Sequence, residues 1–471
     1  MRRKSFLGVT REMNSEFREN LRLLANRISP TSIIVFGFMI FILIGGLILA
    51  LPFSTVAGKS VGFTNALFTA TSAVCVTGLN VVDTNTTYNV FGKIIIMLLI
   101  QVGGLGIMSL YTIFAMLTGK HMGLRERLTI QESISNFNLK GVFNTFRYIM
   151  MITFIIEGIG ALLFATQLIP KYGLVVGAGK SIFQAISAFC NAGFDLFGST
   201  NAKFVSLTGM NNNYVMLLTT AFLIIIGGLG FIVWNDVFFN KRFSTLTLHT
   251  KLVLLMTGFL LIAGTVSFHY LESNNMLTFG RMDNVTNWVN AFFQSVTCRT
   301  AGFNSVPIDK MYDTSNFISI ILMFIGAAPG STGGGVKVTT VSVILLAVFS
   351  FTKGEEDLQI FKNRIPQSVV IKSISIIVLS FMVVSVSTIV LLINNQGVRF
   401  LQAIYESTSA FGTVGLTMGI TPALHTISKY AIIITMFLGR VGPLTAMVVF
   451  VSLQKNKKSK WRYMEGKIVV G

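Results

Sequence analysis

The sequence predicts an all-α integral membrane protein: four tandem helix–pore-helix–helix repeats, with eight transmembrane helices and four half-helices, around one central pore. Three observations carry this prediction. First, four segments share one pattern: FTATSAVCVTGL (68–79), FQAISAFCNAGF (183–194), FFQSVTCRTAGF (292–303) and YESTSAFGTVGL (405–416). Each opens on an aromatic residue and closes on a glycine and an apolar residue. The glycines Gly78, Gly193, Gly302 and Gly415 recur about 110 residues apart, the mark of a repeated structural unit. Second, the chain is 52% hydrophobic and 12% charged, with a mean hydropathy of +0.71, whereas soluble domains carry about 25% charged residues. Third, 25 of the 37 Lys and Arg residues fall in the segments predicted to face the cytosol, nine in the outer ones. This is the positive-inside asymmetry, and it places both termini in the cytosol.

Eight apolar stretches are visible, at 32–53, 90–117, 147–168, 213–239, 251–271, 316–351, 369–394 and 428–453. Most hold the about 20 residues that a spanning helix needs. The first is too long for a signal-peptide core and lacks a small-x-small cleavage site. Within each pair of stretches sits a segment too short and too polar to cross: Asn65–Ala73, Ser181–Phe189, Asn290–Thr297 and Phe400–Ala410. These read as half-helices that descend and turn back through the glycine segments. The predicted division is a cytosolic amphipathic segment (1–30), pore repeats at 31–118, 119–240 (with a preceding cytosolic loop), 241–352 and 353–453, and a cytosolic tail (454–471). In the N-terminal segment Phe17, Leu21, Leu24 and Ile28 share one helical face beside Arg18, Arg22 and Arg27. That face fits the cytosolic leaflet or a partner, with a frayed tail as the alternative.

Non-helical backbone at membrane depth is tolerated only where protein or water surrounds it. Placing the glycine segments on the central axis meets that condition. Half-helix C-termini aimed there carry partial negative charge and favour a cation. Backbone carbonyls from four segments can replace its hydration shell, and glycine permits the backbone this requires. The predicted K+ ligand segments are Val76, Thr77, Gly78; Asn191, Ala192, Gly193; Thr300, Ala301, Gly302; and Thr413, Val414, Gly415.

The second helices carry GGLG at 103–106 and 227–230, GAAPG at 326–330 and GRVG at 439–442. Most of this reads as close helix packing. The third copy continues as GAAPGSTGGGVKV (326–338), which predicts a break at mid-membrane. Gly326, Gly330, Ser331, Thr332, Gly333, Gly334, Gly335 and Lys337 are assigned to a mobile gating loop, and only this helix is expected to be strongly broken. In the fourth copy Arg440 lies in an apolar helix. Two readings stay open for it: a positive barrier on the cation path that works with the gate, or a structural ion pair with Glu157 or Glu406.

Other functions are weakened by what accompanies these motifs. No segment outside the membrane exceeds about 35 residues, so the net charge of +19 points to anionic lipid rather than to nucleic acid. Cys75, Cys190 and Cys298 form no CxxC pair, no membrane-depth histidine accompanies them, and they read as small packed residues. Zinc ligation is not expected of His121, His249, His269 and His425, which lie near predicted helix ends. The repeats run in parallel, whereas alternating-access carriers show inverted repeats with paired broken helices.

The glycine segments, the GSTGGGVK break and the GRVGPLT helix together resemble the Ktr/Trk/HKT superfamily of potassium transporters. The tail EGKIVVG (465–471) is similar to that of the bacterial KtrB branch, and the likeness runs from about residue 28 onward. It implies potassium uptake into a bacterial cell, a multi-pass plasma-membrane subunit that is no enzyme, and a homodimer with one pore per subunit. It also implies a separate cytosolic RCK-type nucleotide-binding ring. The selectivity glycines map onto Gly78, Gly193, Gly302 and Gly415, the gate onto Gly326–Lys337, and the family arginine onto Arg440. K+ is the implied transported ion, with Na+ left open as an activator and no organic cofactor in this chain. A sodium-coupled or sodium-permeable transporter of the same fold is the alternative. In plant relatives a serine at the first position accompanies sodium permeation; this chain has Gly78.

Overall fold

The structure, a computed structural model, describes residues 30–106, 142–355, 357–361 and 363–453. The amphipathic face predicted at 17–28, the segment 107–141 and the tail 454–471 lie outside the described residues. The elements in order are α1 (Pro30–Ala50), α2 (Phe63–Val74), α3 (Val90–Leu105), α4 (Val142–Tyr172), α5 (Leu174–Phe189), α6 (Tyr214–Leu229), α7 (Phe231–Phe239) and α8 (Leu248–Glu272). They continue with α9 (Asn284–Thr297), α10 (Asp313–Phe324), α11 (Val338–Thr352), α12 (Gln367–Asn394), α13 (Phe400–Gly412), α14 (Thr426–Val441) and α15 (Pro443–Leu453). A two-residue antiparallel hairpin, β1 (Gln359–Ile360) with β2 (Asn363–Arg364), links α11 to α12.

Several helices start where a side chain satisfies the free amides of the first turn. Asn89 accepts from Gly92 N at 3.0 Å, Asn213 from Met216 N at 3.1 Å and Asp283 from Thr286 N at 3.3 Å. Bonds from the Thr286 hydroxyl and amide hold the Asp283 carboxyl below its ordinary pKa.

Among the described residues four helices are long and apolar enough to cross a bilayer: Ser32–Ala50, Arg147–Tyr172, Leu248–Glu272 and Gln367–Asn394. Their outer faces expose Leu47, Leu162, Phe259, Ile262 and Phe381, as lipid contact requires. Two helix pairs are long and apolar enough only when taken together, and both are sharply bent, α6–α7 at 91° and α14–α15 at 94°. The stretch predicted at 316–351 is divided into α10 and α11 by residues 325–337.

The expectation of one strongly broken helix is therefore corrected: among the described residues three are broken. The cause is local. Gly230 and Gly442 have φ of 92° and 91°, left-handed values that end an α-helix, and Pro443 follows the second. Gly106 closes α3 with a φ of 84°. The glycines read as packing residues thus include helix terminators at matched positions.

Each short helix lies on the long helix before it: α2 on α1, α5 on α4, α9 on α8 and α13 on α12. Each second helix also touches the short helix of the next unit: α3 meets α5, α6 meets α9, α10 meets α13, and α14 returns to α2. The chain closes on itself. Two short helices begin well before the predicted residue, α5 at Leu174 rather than Ser181 and α9 at Asn284 rather than Asn290, whereas α13 begins at Phe400 as predicted. In α5 the added residues open on an apolar turn, with Leu174, Val175 and Val176 exposed.

Candidate ion-conduction site

Each glycine segment follows the C-terminus of a short helix, and the four meet at one place. Their backbones share one conformation. The first residues, Val76, Asn191, Thr300 and Thr413, have φ of 56°, 58°, 65° and 50°; the glycines Gly78, Gly193, Gly302 and Gly415 have φ of 92°, 67°, 80° and 94°. The residues between them are not left-handed. Alternating handedness turns successive peptide planes the same way, so consecutive carbonyls share one side.

The glycines form a closed ring. A Cβ on Gly78 would stand 2.7 Å from Ala192 O and 2.9 Å from Gly193 Cα. One on Gly193 would stand 2.8 Å from Ala301 O, and one on Gly302 would collide with Val414 O and stand 3.1 Å from Gly415 Cα. One on Gly415 would collide with Thr77 O and stand 2.9 Å from Gly78 Cα. The carbonyls of Thr77, Ala192, Ala301 and Val414 therefore line one small space, with no room for a side chain. All eight non-glycine residues of the segments are fully buried. Thr77 Oγ is buried without a partner among the described residues, a group that water or an ion can satisfy.

One residue in the last turns of each short helix holds this backbone from behind, a feature the sequence reading missed. The Ser72 carbonyl accepts from Thr77 N at 2.8 Å and its hydroxyl from Gly78 N at 3.0 Å. Ser409 repeats both bonds, to Val414 N at 2.8 Å and Gly415 N at 3.0 Å. The Ser187 carbonyl accepts from Ala192 N at 2.7 Å, and its hydroxyl accepts from Phe194 N at 3.0 Å and donates to Phe194 O at 2.6 Å. The Thr297 carbonyl accepts from Ala301 N at 3.1 Å, and its hydroxyl donates to Phe303 O at 2.6 Å. A signal was present: Ser72, Ser187 and Ser409 each stand six residues before their glycine.

The first glycines of three second-helix motifs let those helices touch the short helices directly. A Cβ on Gly103, Gly227 or Gly439 would collide with the carbonyl of Val74, Phe189 or Phe411 respectively. Gly103→Ala and Gly439→Ala are expected to cost about 1–3 kcal/mol each, as overpacking against fixed backbone does. The measurement is the melting temperature of the detergent-solubilised protein. Gly158→Ala is the control, since nothing lies within 4 Å of a Cβ there; equal effects at all three positions would contradict the packing.

Residues 325–337 form a loop under the ring, tied on all sides. Gly330 and Gly335 have φ of 68° and 69°. Thr332 N donates to Gly227 O at 3.2 Å and Gly335 N to Gly439 O at 3.2 Å, while Gly330 O accepts from Phe231 N at 2.9 Å. Gly326 N closes the loop's neck on Val336 O at 2.8 Å. Two bonds reach the glycine segments: the Thr332 hydroxyl to Asn191 Oδ1 at 3.3 Å, and Gly334 N to Thr413 Oγ at 3.0 Å. Gly333 packs on the Thr300 side chain. The Ser331 hydroxyl donates to Ala328 O at 2.6 Å, and Lys337 Nζ to Gly333 O at 2.7 Å. The loop thus touches three of the four segments.

Arg440 resolves differently from either acid pairing. Its guanidinium donates to the carbonyls of Thr332 and Gly103 and, at 3.4 Å, to that of Gly104. Among the described residues it pairs with neither carboxylate. Glu157 accepts from Gln101 Nε2 at 3.1 Å through both oxygens; Glu406 accepts from Thr417 at 2.8 Å and from Thr421. Its side chain thus bridges the loop and the last turn of α3. Arg299, the other deep arginine, donates to Gly326 O at 3.2 Å. Cys75, Cys190 and Cys298 are free, buried and at the C-caps of α2, α5 and α9.

Comparison with known proteins places this architecture. The TrkH family profile, described as a cation transport protein, matches residues 30–461. The chain is 41% identical to Ktr system potassium uptake protein B of Bacillus subtilis, over 94% of this chain and 97% of that one. It is 38% identical to potassium/sodium uptake protein NtpJ of Enterococcus hirae, over 94% and 98%. The fold matches the crystal structure of the potassium transporter TrkH from Vibrio parahaemolyticus with a TM-score of 0.70, at 17% identity, over 89% of this chain and 84% of that chain. The resemblance read from the glycine segments is thereby borne out: this chain belongs to the TrkH family of membrane-embedded cation transport proteins and is not an enzyme.

Proposed function

We propose that the chain takes up potassium across the cell membrane, through the ring of four glycines, as a passive path down the electrochemical gradient. The observation that carries this reading is the ring itself: four carbonyls on one small space, in backbones of a single shared conformation. Four pore units (31–118, 119–240, 241–352 and 353–453) contribute one segment each, and eight spans surround them. The short-helix C-termini add partial negative charge. Carbonyl ligands replace the hydration shell of K+ without a fixed anion that would hold it too tightly. An inside-negative potential of 100 mV favours each entering charge by about 2.3 kcal/mol, so accumulation needs no ATP hydrolysis in this chain. Residues 326–337 and Arg440 form the gate beneath the ring. Both termini face the cytosol, and a homodimer works with a cytosolic RCK-type nucleotide-binding ring.

The test is uptake by a bacterium lacking its own potassium systems, with this chain expressed alone and with a cytosolic ring subunit. Growth at low K+ and rubidium influx, both increased by the partner, are expected. A correctly inserted chain that supports neither would overturn the reading. The name of NtpJ, potassium/sodium uptake protein, favours a second reading in which Na+ permeates or couples. Uptake that persists unchanged when external Na+ is removed, with Na+ influx below K+ influx, would exclude it.

A further inference from the structure

We infer that Ser72 and Ser409 are positioning residues for ion selectivity: their hydroxyls aim the Thr77 and Val414 carbonyls at the axis. The inference rests on reading the four glycine segments as the ion filter. A trans peptide is planar, with its N–H and C=O pointing in opposite directions. Holding an N–H on the outside therefore aims the carbonyl of the same peptide inward. The Gly78 amide, held by the Ser72 hydroxyl at 3.0 Å, belongs to the peptide that carries Thr77 O. The Gly415 amide, held by the Ser409 hydroxyl at 3.0 Å, belongs to the peptide that carries Val414 O. These two oxygens are the ones a Cβ on Gly415 and on Gly302 would strike, so the peptides face the ring as the argument requires.

The grip is doubled in every segment. The carbonyls of Ser72, Ser187, Thr297 and Ser409 hold the amides of Thr77, Ala192, Ala301 and Val414, aiming the carbonyls of Val76, Asn191, Thr300 and Thr413. That layer depends only on backbone and survives any side-chain change. The hydroxyl layer differs between segments. In the first and fourth it holds the glycine amide; in the second and third it reaches Phe194 and Phe303, one residue beyond. Among the described residues, only in the first and fourth does a side chain fix the carbonyl just before the glycine. Ser72 and Ser409 are fully buried, so water does not replace a deleted hydroxyl at low cost. The glycine amide would then be left unpaired in a dry site, and its peptide free to rotate.

The experiment uses the full-length protein with its cytosolic partner, reconstituted in liposomes, and measures the K+/Na+ permeability ratio. Ser72→Ala and Ser409→Ala are each expected to lower the ratio by about 3- to 10-fold, the effect of one lost neutral hydrogen bond, with little change in total cation flux. Ser72→Thr and Ser409→Thr keep the hydroxyl and are expected to restore the ratio. Where an alanine variant does not insert, the cysteine variant takes its place, keeping the volume with a weak acceptor. An unchanged ratio in both alanine or cysteine variants overturns the inference. So does a loss that threonine fails to restore, because that loss follows shape rather than the hydroxyl. Gly78→Ser in the same assay separates the two levels: a ratio that falls with Gly78→Ser but not with Ser72→Ala refutes the clamp alone, and one that responds to neither refutes the filter itself.

Discussion

Serine in place of Gly78, Gly193, Gly302 or Gly415 is expected to reduce K+ preference over Na+ by about tenfold or more, and to reduce maximum flux less. Two costs combine at each position. The left-handed φ of 67° to 94° costs a residue with a Cβ about 1–2 kcal/mol, and the Cβ meets the backbone of the next segment. The nearest atoms are carbonyl oxygens and Cα atoms of neighbouring segments, which cannot move aside as a flexible side chain can. The carbonyls must therefore rotate or spread, and a change of about 1.4 kcal/mol in relative ion stabilisation is tenfold in preference. Gly302 and Gly415 are the tightest, since a Cβ there strikes Val414 O and Thr77 O, and they should show the larger losses. Reversal potentials under bi-ionic conditions measure the effect. Unchanged preference in all four variants would remove the filter assignment.

The second large effect is expected below the ring. Arg440→Ala should raise basal K+ flux in the absence of the cytosolic partner by about tenfold or more, and deletion within Gly330–Gly335 should do the same. The guanidinium bridges the Thr332 carbonyl to those of Gly103 and Gly104, and hydrogen bonds from a charged donor contribute about 1.5–3 kcal/mol each. On the proposed gating, their loss would shift the balance toward an open loop, the state that a cytosolic partner would have to bind more tightly. Arg440→Lys separates a staple from a charge barrier. Lysine keeps the positive charge but is a point donor that does not span two separated carbonyls as the planar fork does. Raised flux in Arg440→Lys identifies a staple; flux as low as wild type identifies a barrier. Wild-type flux with full partner dependence after loop deletion would make residues 325–337 a simple kink.

The ring was legible because its signal is fourfold. One glycine in an apolar helix says little, but four at matched places with an aromatic residue ten positions earlier leave few structural alternatives. The break in the third unit was legible from Pro329 and the glycines at 333–335. The breaks at Gly230 and Gly442 were not, because a glycine that permits close packing and one that ends a helix look alike. Here both occur within one motif: Gly227 and Gly439 face a short helix, whereas Gly230 and Gly442 terminate. Pro443 was the available hint for the last.

Arg440 shows a different limit. Glu157 and Glu406 were visible as acidic candidates, while its actual partners are backbone carbonyls, which every residue possesses. Those carbonyls became available because the loop is not helical and because Gly103 and Gly104 lie in the last turn of α3, which ends at Leu105 and leaves its final carbonyls without an amide four residues on. Ser72, Ser187 and Ser409 were in plain view at constant spacing. Their role emerged only with the backbone, since a serine in a buried helix ordinarily bonds its own helix, as Ser380 does to Ile376 O at 2.7 Å.

The most direct test is anomalous diffraction from crystals grown in rubidium or thallium, ions that stand in for K+. The expected result is a peak on the axis among the carbonyls of Thr77, Ala192, Ala301 and Val414, lost on exchange into Na+ and weakened by Gly415→Ser. A transport-competent protein with no peak there, or with its strongest peak away from the ring, would contradict the assignment of the four glycines as the path of the ion.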